Sequence, residues 1–460
     1  MIENIINEIN NKDKIVILGY GKEGKSTYQL IRKYLKDKKL TIADENENLM
    51  QEHKELKEDK NLKLTLGNKY LNNLEQYDLI IKSPGINFKN LDYHSFQSKI
   101  TSQIDLFLKY STCLTIGITG TKGKSTTSSL IYHVLAGMNK KCVLVGNIGT
   151  PVFNKIYDLE KDTIVVMELG CHQLQFVTLS PNISVLLNIF QEHLDHYKSY
   201  EEYQLAKLNI FKFQKEKDYN IWGIDSKDLK KYVTKNKNTY MFSSQEKELT
   251  QGIIIKEKNL YLVKNNKQTL IYNNLRKRNL LGDHNLYNIA AVFCIADILN
   301  LNLKKVADLI DNFKPLEHRL ELVGTYKGIT FYNDSIATIP QATINCINAI
   351  AKLQTIILGG LKREIDLNSL INFLNKNKKL KNLIFLKDTG YEIYDELVKR
   401  KCKKNLLKAE SMKDAVKIAY EVTEKGYSCA LSPAAASYNT YKNFEERGND
   451  YKQEVKNQSK

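Results

Sequence analysis

Residues 117–130 read GITGTKGKSTTSSL, glycines and hydroxyls around two lysines, with an apolar run on either side. An apolar strand must enter this segment and a helix must leave it, so the turn between them presents several backbone N–H groups to one point. The strict phosphate-loop spacing G-x-x-x-x-G-K-[ST] would need glycine at 118, where Ile118 stands. What stands instead is G-x-x-G-x-x-G-K-S, through Gly117, Gly120, Gly123, Lys124 and Ser125. The physics of an anion cradle survives the change. The amides of Gly120, Thr121, Lys122 and Gly123 can turn inward, the helix start adds its dipole, Lys124 can reach terminal phosphates, and Ser125 or Thr126 can hold magnesium. The competing reading is a glycine-rich turn with no ligand. A phosphate loop also does not name a reaction, because kinases, hydrolases and ligases share one.

The same strand–helix alternation organises the rest. A first block runs KIVILGYGKEGKSTYQLIRKYL, then LTIADENE ending its strand at Asp44, then YDLIIKSPGI with Pro84 and Gly85 in the turn. A second begins near Thr115, with strands LTIGITG, KCVLVGN, TIVVMELG and NISVLLNIF. The stretch 215–278, rich in Asn, Lys and Tyr, reads as a small antiparallel addition, and a helix starting near His284 closes the block. A third follows Pro315, with GITFYNDS, QTIILGG, NLIFLKD and SCALSPA as strands. The fold class expected is α/β, three consecutive α/β domains at 1–101, 102–314 and 315–460, in keeping with 460 residues. The N-terminus predicts a short amphipathic helix, and YKQEVKNQSK a polar helix end or frayed tail.

Chemistry-bearing residues gather where parallel strands end. TIVVMELG delivers Glu168, and NISVLLNIFQEHLDHY delivers Glu192, His193 and Asp195. Glu168 and His193 can face the phosphate loop and carry a second magnesium, or EHLDHY is a polar loop in water. Lys207 is one helix lysine among many. The N-terminal G-x-G-x-x-G, Gly19, Gly21 and Gly24, is a weak dinucleotide signal by itself. Seven cysteines show no CxxC spacing and no accompanying His/Cys cluster in the linear sequence, so neither zinc nor disulfides are expected. Net charge is +17, but the lysines are spread along the whole chain, which favours general lysine richness over a nucleic-acid face, and anionic small substrates would also benefit from such a field. With no membrane span or signal peptide in the pattern, the expected place is the cytoplasm, and the expected state a monomer.

GITGTKGKSTT, GNIGTP, ELGCHQLQ, NIFQEHLDHY, YQLAKLNIF, GDHNLYNIAA, EHRLE, FYNDSIAT and LSPAAASYNTYKNFEERG occur in this order. Together they resemble the Mur ligase family over nearly the whole chain, most of all the branch that adds glutamate to UDP-N-acetylmuramoyl-L-alanine in peptidoglycan synthesis. The resemblance implies a UDP-binding N-terminal domain, an ATP-binding central domain and a C-terminal domain for the incoming amino acid. It implies catalysis through an acyl phosphate, with Lys124, His193 and Lys207 as catalytic groups and Lys207 carbamylated. Magnesium, in two sites, would be held by Ser125, Glu168, His193 and the carbamate. Asn285 and Asn288, with Arg319 and Asp334 from EHRLE and YNDS, would complete the ATP site, and His318 stands beside them. Gly19, Gly21, Gly24, Asp44, Gly85, Asn147 and Gln173, with Gly146, match positions that contact the UDP substrate. Thr338, Arg363, Ser437 and Phe444 match the glutamate pocket.

Two departures concern the acceptor. Ile336 stands where D-glutamate users carry lysine, and the DSIAT-x-P form with Pro340 resembles a subgroup using L-glutamate. A second lysine of the pattern corresponds to Arg363, or to Lys362 if the alignment slips by one. D-glutamate is the expected acceptor and L-glutamate the alternative. A folylpolyglutamate synthase, a non-catalytic nucleotide-binding relative and a nucleic-acid binder are the remaining rivals.

Overall fold

The computed structural model describes residues 1–193, 195–234 and 236–459. The apolar runs that end in glycine or an acid form three sheets. In the first, β1 (Ile15–Leu18), β2 (Leu40–Asp44), β3 (Leu62–Leu66), β4 (Leu79–Lys82) and β5 (Ile100–Thr101) are all parallel, in the order β3-β2-β1-β4-β5. The chain builds outward from β1 on one side and then returns to its other side. That reversal opens a crevice beyond the carboxyl ends of β1 and β4.

The second sheet holds β6 (Leu114–Thr119), β7 (Cys142–Gly146), β8 (Ile164–Glu168), β9 (Ile183–Leu186), β10 (Tyr219–Gly223), β11 (Thr239–Ser243), β12 (Gly252–Lys256), β13 (Asn259–Lys264) and β14 (Lys267–Tyr272). Its order is β14-β13-β12-β11-β10-β9-β6-β8-β7, and it reverses between β6 and β9. The stretch expected to be a small antiparallel addition is an extension of this sheet. β10, β11 and β12 continue it in parallel, and β13 pairs antiparallel with both β12 and β14.

The third sheet joins β15 (Glu321–Tyr326), β16 (Ile329–Asn333), β17 (Leu353–Gly360), β18 (Asn382–Asp388), β19 (Asn405–Lys408) and β20 (Ser428–Leu431) in the order β15-β16-β20-β17-β18-β19. It is parallel except for β15.

Two compact units result, one of residues 1–276 with 287–310, the other of 277–286 with 311–460. Within the first unit the two sheets share a core. The N-terminal helix Ile2–Asn10 buries Ile5, Ile6 and Ile9 in the same cluster as Ile104 and Phe107, Val152 and Phe153, and Val165 and Met167. In the second, the C-terminal helix Phe444–Asn457 reaches well into the polar tail sequence. It is held because Tyr451 and Val455 are fully buried against β16, β17 and β20 residues. Among the described residues no helix is long and apolar enough to cross a membrane.

Candidate active site

β6 is followed by four residues, 120–123, and then by the helix Lys124–Gly137. Gly120 (φ 153°) and Gly123 (φ 90°) take backbone angles that favour glycine. A Cβ on Gly123 would also run into Asn288 Oδ1, so the helix Asn285–Ile298 brings Asn288 against this loop. The loop is pinned from β9's far end: Asn188 accepts from the Lys122 amide at 2.8 Å and donates to the Lys122 carbonyl at 3.0 Å. Thr121 Oγ1 lies 2.8 Å from the Tyr203 hydroxyl and accepts from the Phe190 amide at 2.9 Å. The Lys122 ammonium pairs with Glu192. Ser125 is half-buried and Thr126 buried in the first helical turn.

Two lysines converge on this loop. Lys124 Nζ donates to the Gly120 and Thr121 carbonyls at 2.9 and 3.0 Å, and Lys207 Nζ donates to the same Gly120 carbonyl at 2.9 Å. Lys207 is 1% exposed, on the helix Tyr200–Lys212, with its ammonium 5.0 Å from the Tyr203 ring centre. Burial, and then the Lys124 charge, push Lys207 down to about 7. Burial also lowers Lys124, against an upward pull from Glu168 and Glu192. Two like charges in one dry pocket are unfavourable unless anionic groups join them.

Glu168, at the end of β8, is fully buried. Its Oε1 accepts from Asn147 Nδ2 at 2.8 Å, while Oε2 has no hydrogen-bond partner among the described residues. Gly146 (φ 103°) lets β7 close on β8, since a Cβ there would strike the Glu168 carbonyl. His193 follows β9 in the left-handed region (φ 58°), its ring centre 4.9 Å from that of His172. Burial lowers His193, and Lys207 and Lys124 lower it further against Glu192 and Asp195. Glu168 and His193 each therefore lie within electrostatic reach of both Lys124 and Lys207.

Linear spacing conceals one feature of this region. Cys171 Sγ and one ring nitrogen each of His172 and His193 lie within 4.8 Å of one another. The His/Cys cluster that the sequence order does not show is made by the fold, which sets the turn after β8 beside the turn after β9. Burial, then His196 and His193, hold His172 down to about 3.

At the crevice of the first sheet lies a cavity of about 400 Å³. Gly19, Gly21, Asp44, Gly85, Gly146 and Asn147 are among its lining residues, which also include Glu23 and Tyr70. Asp44 shapes the entrance by accepting from the Tyr20 amide at 2.6 Å and the Asn46 amide at 2.8 Å. Gly24 lies in the first turn of the helix Lys22–Tyr34, where a Cβ would strike the Gly19 carbonyl, and it does not line the cavity. Its place is one of close helix–strand packing. Gln173 does not line the cavity either; it donates to Glu23 Oε1 at 2.5 Å and accepts from the Gly170 amide. Burial raises Glu23 to about 7 and lowers Lys82 nearby to about 7.

In the second unit, Asp334 stands at the end of β16 and is 5% exposed. It accepts from the Leu320 amide at 3.2 Å and from Ser432 at 2.9 Å, and burial raises it to about 7, with Arg319 pulling it down. His318 Nδ1 lies 2.9 Å from Asn333 Nδ2, and its ring is 6.0 Å from Phe444. Ser437 is buried, Thr338 and Phe444 half-buried. Arg363 is exposed and leans on the Tyr438 ring at 5.9 Å, whereas Lys362 pairs with Glu392 at 3.1 Å. Asn285 Nδ2 donates to the Leu281 carbonyl at 2.6 Å.

Sequence reasoning gave no role to Arg447, 1% exposed. It donates to the Ser335 and Ala435 carbonyls at 2.8 and 3.0 Å, and to Ser335 Oγ at 3.0 Å, tying the turn after β16 to the turn after β20. Asn188 was missed too, although an asparagine directly after the run SVLL was a signal of a strand-end clamp.

Residues 118–296 match the family model described as the Mur ligase middle domain. A Clostridium botulinum protein named UDP-N-acetylmuramoylalanine–D-glutamate ligase is 34% identical over 404 residues, 85% of each chain. A Clostridium kluyveri protein of the same name is 34% identical over 416 residues, 87% of each. Among solved structures, MurC from Thermotoga maritima superposes with a TM-score of 0.58 at 18% identity, covering 96% of this chain and 99% of its own. The Thermotoga maritima MurF ligase in complex with ADP gives 0.58 at 18%, covering 83% and 90%, a likeness of fold. On the identity and reach of the two clostridial relatives, the chain belongs to the Mur ligase family.

Proposed function

We propose that this chain is an ATP-dependent ligase that joins glutamate to UDP-N-acetylmuramoyl-L-alanine, with D-glutamate as the acceptor. The observation that carries this reading is the meeting of Lys124 and the buried Lys207 on the Gly120 carbonyl, in a pocket whose converging amines call for a polyphosphate. The names of the clostridial relatives supply the substrates. In this reading residues 1–101 bind the UDP part, 102–314 bind ATP, and 315–460 bind glutamate. The cavity beside Gly19, Asp44 and Gly85 takes the UDP pyrophosphate and uridine. Asn147 belongs both to that cavity and to Glu168, so it can register the substrate carboxylate against the phosphate loop.

The amides of residues 120–123 cradle the phosphates, and Lys124 offsets charge as the γ-phosphoryl group moves to the substrate carboxylate. ADP leaves, and an acyl phosphate remains. The glutamate amine then attacks that carbonyl, a proton is lost from nitrogen, and inorganic phosphate departs. Asn285, Asn288, Arg319 and Asp334 hold the rest of ATP, while Thr338, Arg363, Ser437 and Phe444 hold glutamate. Arg363, with its neighbour Lys362 engaged by Glu392, is the cation left to clamp a carboxylate.

The open Oε2 of Glu168 fits a magnesium ligand. Ser125, Glu168, His193 and a carbamylated Lys207 are the residues that would hold magnesium, which would neutralise phosphate charge. Carbamylation requires a neutral amine, and a lysine lowered to about 7 provides one. The test measures phosphate release with ATP, magnesium and UDP-N-acetylmuramoyl-L-alanine, adding D-glutamate, L-glutamate or neither. Release with D-glutamate supports the reading. Release with L-glutamate alone moves the acceptor to its enantiomer, and no release in any tube overturns the ligase.

A further inference from the structure

We propose that Cys171, His172 and His193, with His196 as the fourth donor, form a binding site for a thiophilic divalent cation such as zinc. This site is separate in its chemistry from the oxygen-ligand site suggested for magnesium. The donors come from two strand ends. Cys171 and His172 open the short helix Cys171–Leu174 directly after β8, and His193 and His196 lie in the turn after β9. The first three donor atoms lie within 4.8 Å of one another. A tetrahedral zinc site spaces its donors by roughly 3.3–3.6 Å, so these three stand close to the spacing an ion needs.

His196 supplies an independent indication. It is 7% exposed, its Nε2 is buried and has no hydrogen-bond partner among the described residues, and its ring centre is 3.8 Å from that of His172. A buried imidazole nitrogen with nothing to bond is costly unless a ligand completes it. The shell around these donors is formed: Tyr197 OH lies 3.3 Å from His172 Nδ1, and the two rings stack at 5.6 Å. One thiol and three imidazoles select zinc or cobalt over magnesium, which demands oxygen ligands. His193 is common to both sites. Occupation by zinc would draw it away from the nucleotide side.

The test uses the full chain, stripped of metal by chelator dialysis and titrated with zinc ion alone in a large excess of magnesium. Bound zinc is measured after gel filtration, and the titration is repeated with cobalt to read the thiolate-to-metal absorption band. The site predicts one zinc per chain and a thiolate band in the unmodified protein. It also predicts that Cys171→Ser and His172→Phe each weaken zinc binding by about tenfold or more. Cys171→Ser should in addition remove the cobalt band. Zinc bound equally by the parent and both folded variants, or cobalt bound with no thiolate band in the parent, would overturn the proposal. The cobalt spectrum of the parent keeps the test decisive if a variant fails to fold. None of these readouts depends on ligase activity, so failure here is distinguishable from failure of the proposed function.

Discussion

Two stretches of this chain spell nearly the same thing: GKEGKST at 21–27 and GTKGKST at 120–126. They fold differently. In the first, Gly21 is the last residue of its turn, and the helix Lys22–Tyr34 has already begun when the second glycine arrives. Gly24 is therefore a packing residue under Gly19, and Lys25 points to the surface, where it pairs with Glu55 at 2.9 Å. In the second, Gly120 is the first residue of its turn and the helix starts at Lys124 itself. The amides of 120–123 stay unwound from the helix, and Lys124, half-buried, folds back onto the Gly120 and Thr121 carbonyls. The shared GKST gives a helix turn or an anion cradle depending on where the helix starts. The second geometry alone brings its own lysine back over the turn, beside the buried Lys207.

The sharpest way to break this comparison is to remove each lysine in turn. Lys124→Met is expected to lower ligation by about 10²–10³-fold, the scale of a lost transition-state electrostatic contact, while Lys25→Met stays within about twofold. Steady-state phosphate release measures both, and equal losses would sink the distinction. Next in size is Lys207. With its amine near 7, roughly half is neutral at pH 7, against about one in 2,500 for an unperturbed lysine. The neutral fraction grows as pH rises through 7, so bicarbonate-dependent activity should rise over the same range. In carbon dioxide-depleted buffer activity should fall about tenfold or more and return on adding bicarbonate. A flat response would remove the carbamate from the account.

Two smaller effects separate the other pockets. Arg363→Met should raise the KM for glutamate about tenfold or more, and Lys362→Met should leave it within about twofold, because Lys362 is occupied by Glu392. Reversal of that order would place the clamp one residue earlier. Asp44→Ala should raise the KM for the UDP substrate several-fold, on the order of 1 kcal/mol per lost backbone contact, with kcat little changed. A change in kcat alone would contradict its assignment to the cavity.

Much of the fold was legible in residues. Runs such as KIVIL, TIVVME and NISVLL are buried on both faces in parallel sheets, so their apolar continuity marks them. β3, β15 and β19 were not, because they lie at sheet edges and mix exposed with half-buried positions. At the site, the lysine and glycines of the phosphate loop announce themselves through local spacing. Lys207 does not: its distinction is burial against a carbonyl 87 positions away in sequence. The same holds for Cys171 with His193, brought together by a crossover between β8 and β9. Arg447 was unreadable because its partners are backbone carbonyls, which carry no letter in a sequence.

The central claim is that a substrate carboxylate is phosphorylated in the pocket shared by Lys124 and Lys207. The direct measurement uses UDP-N-acetylmuramoyl-L-alanine labelled with oxygen-18 in its terminal carboxylate, turned over with ATP and glutamate. Transfer of one labelled oxygen into the released inorganic phosphate is the predicted result. Unlabelled phosphate, formed alongside amide product, would contradict it.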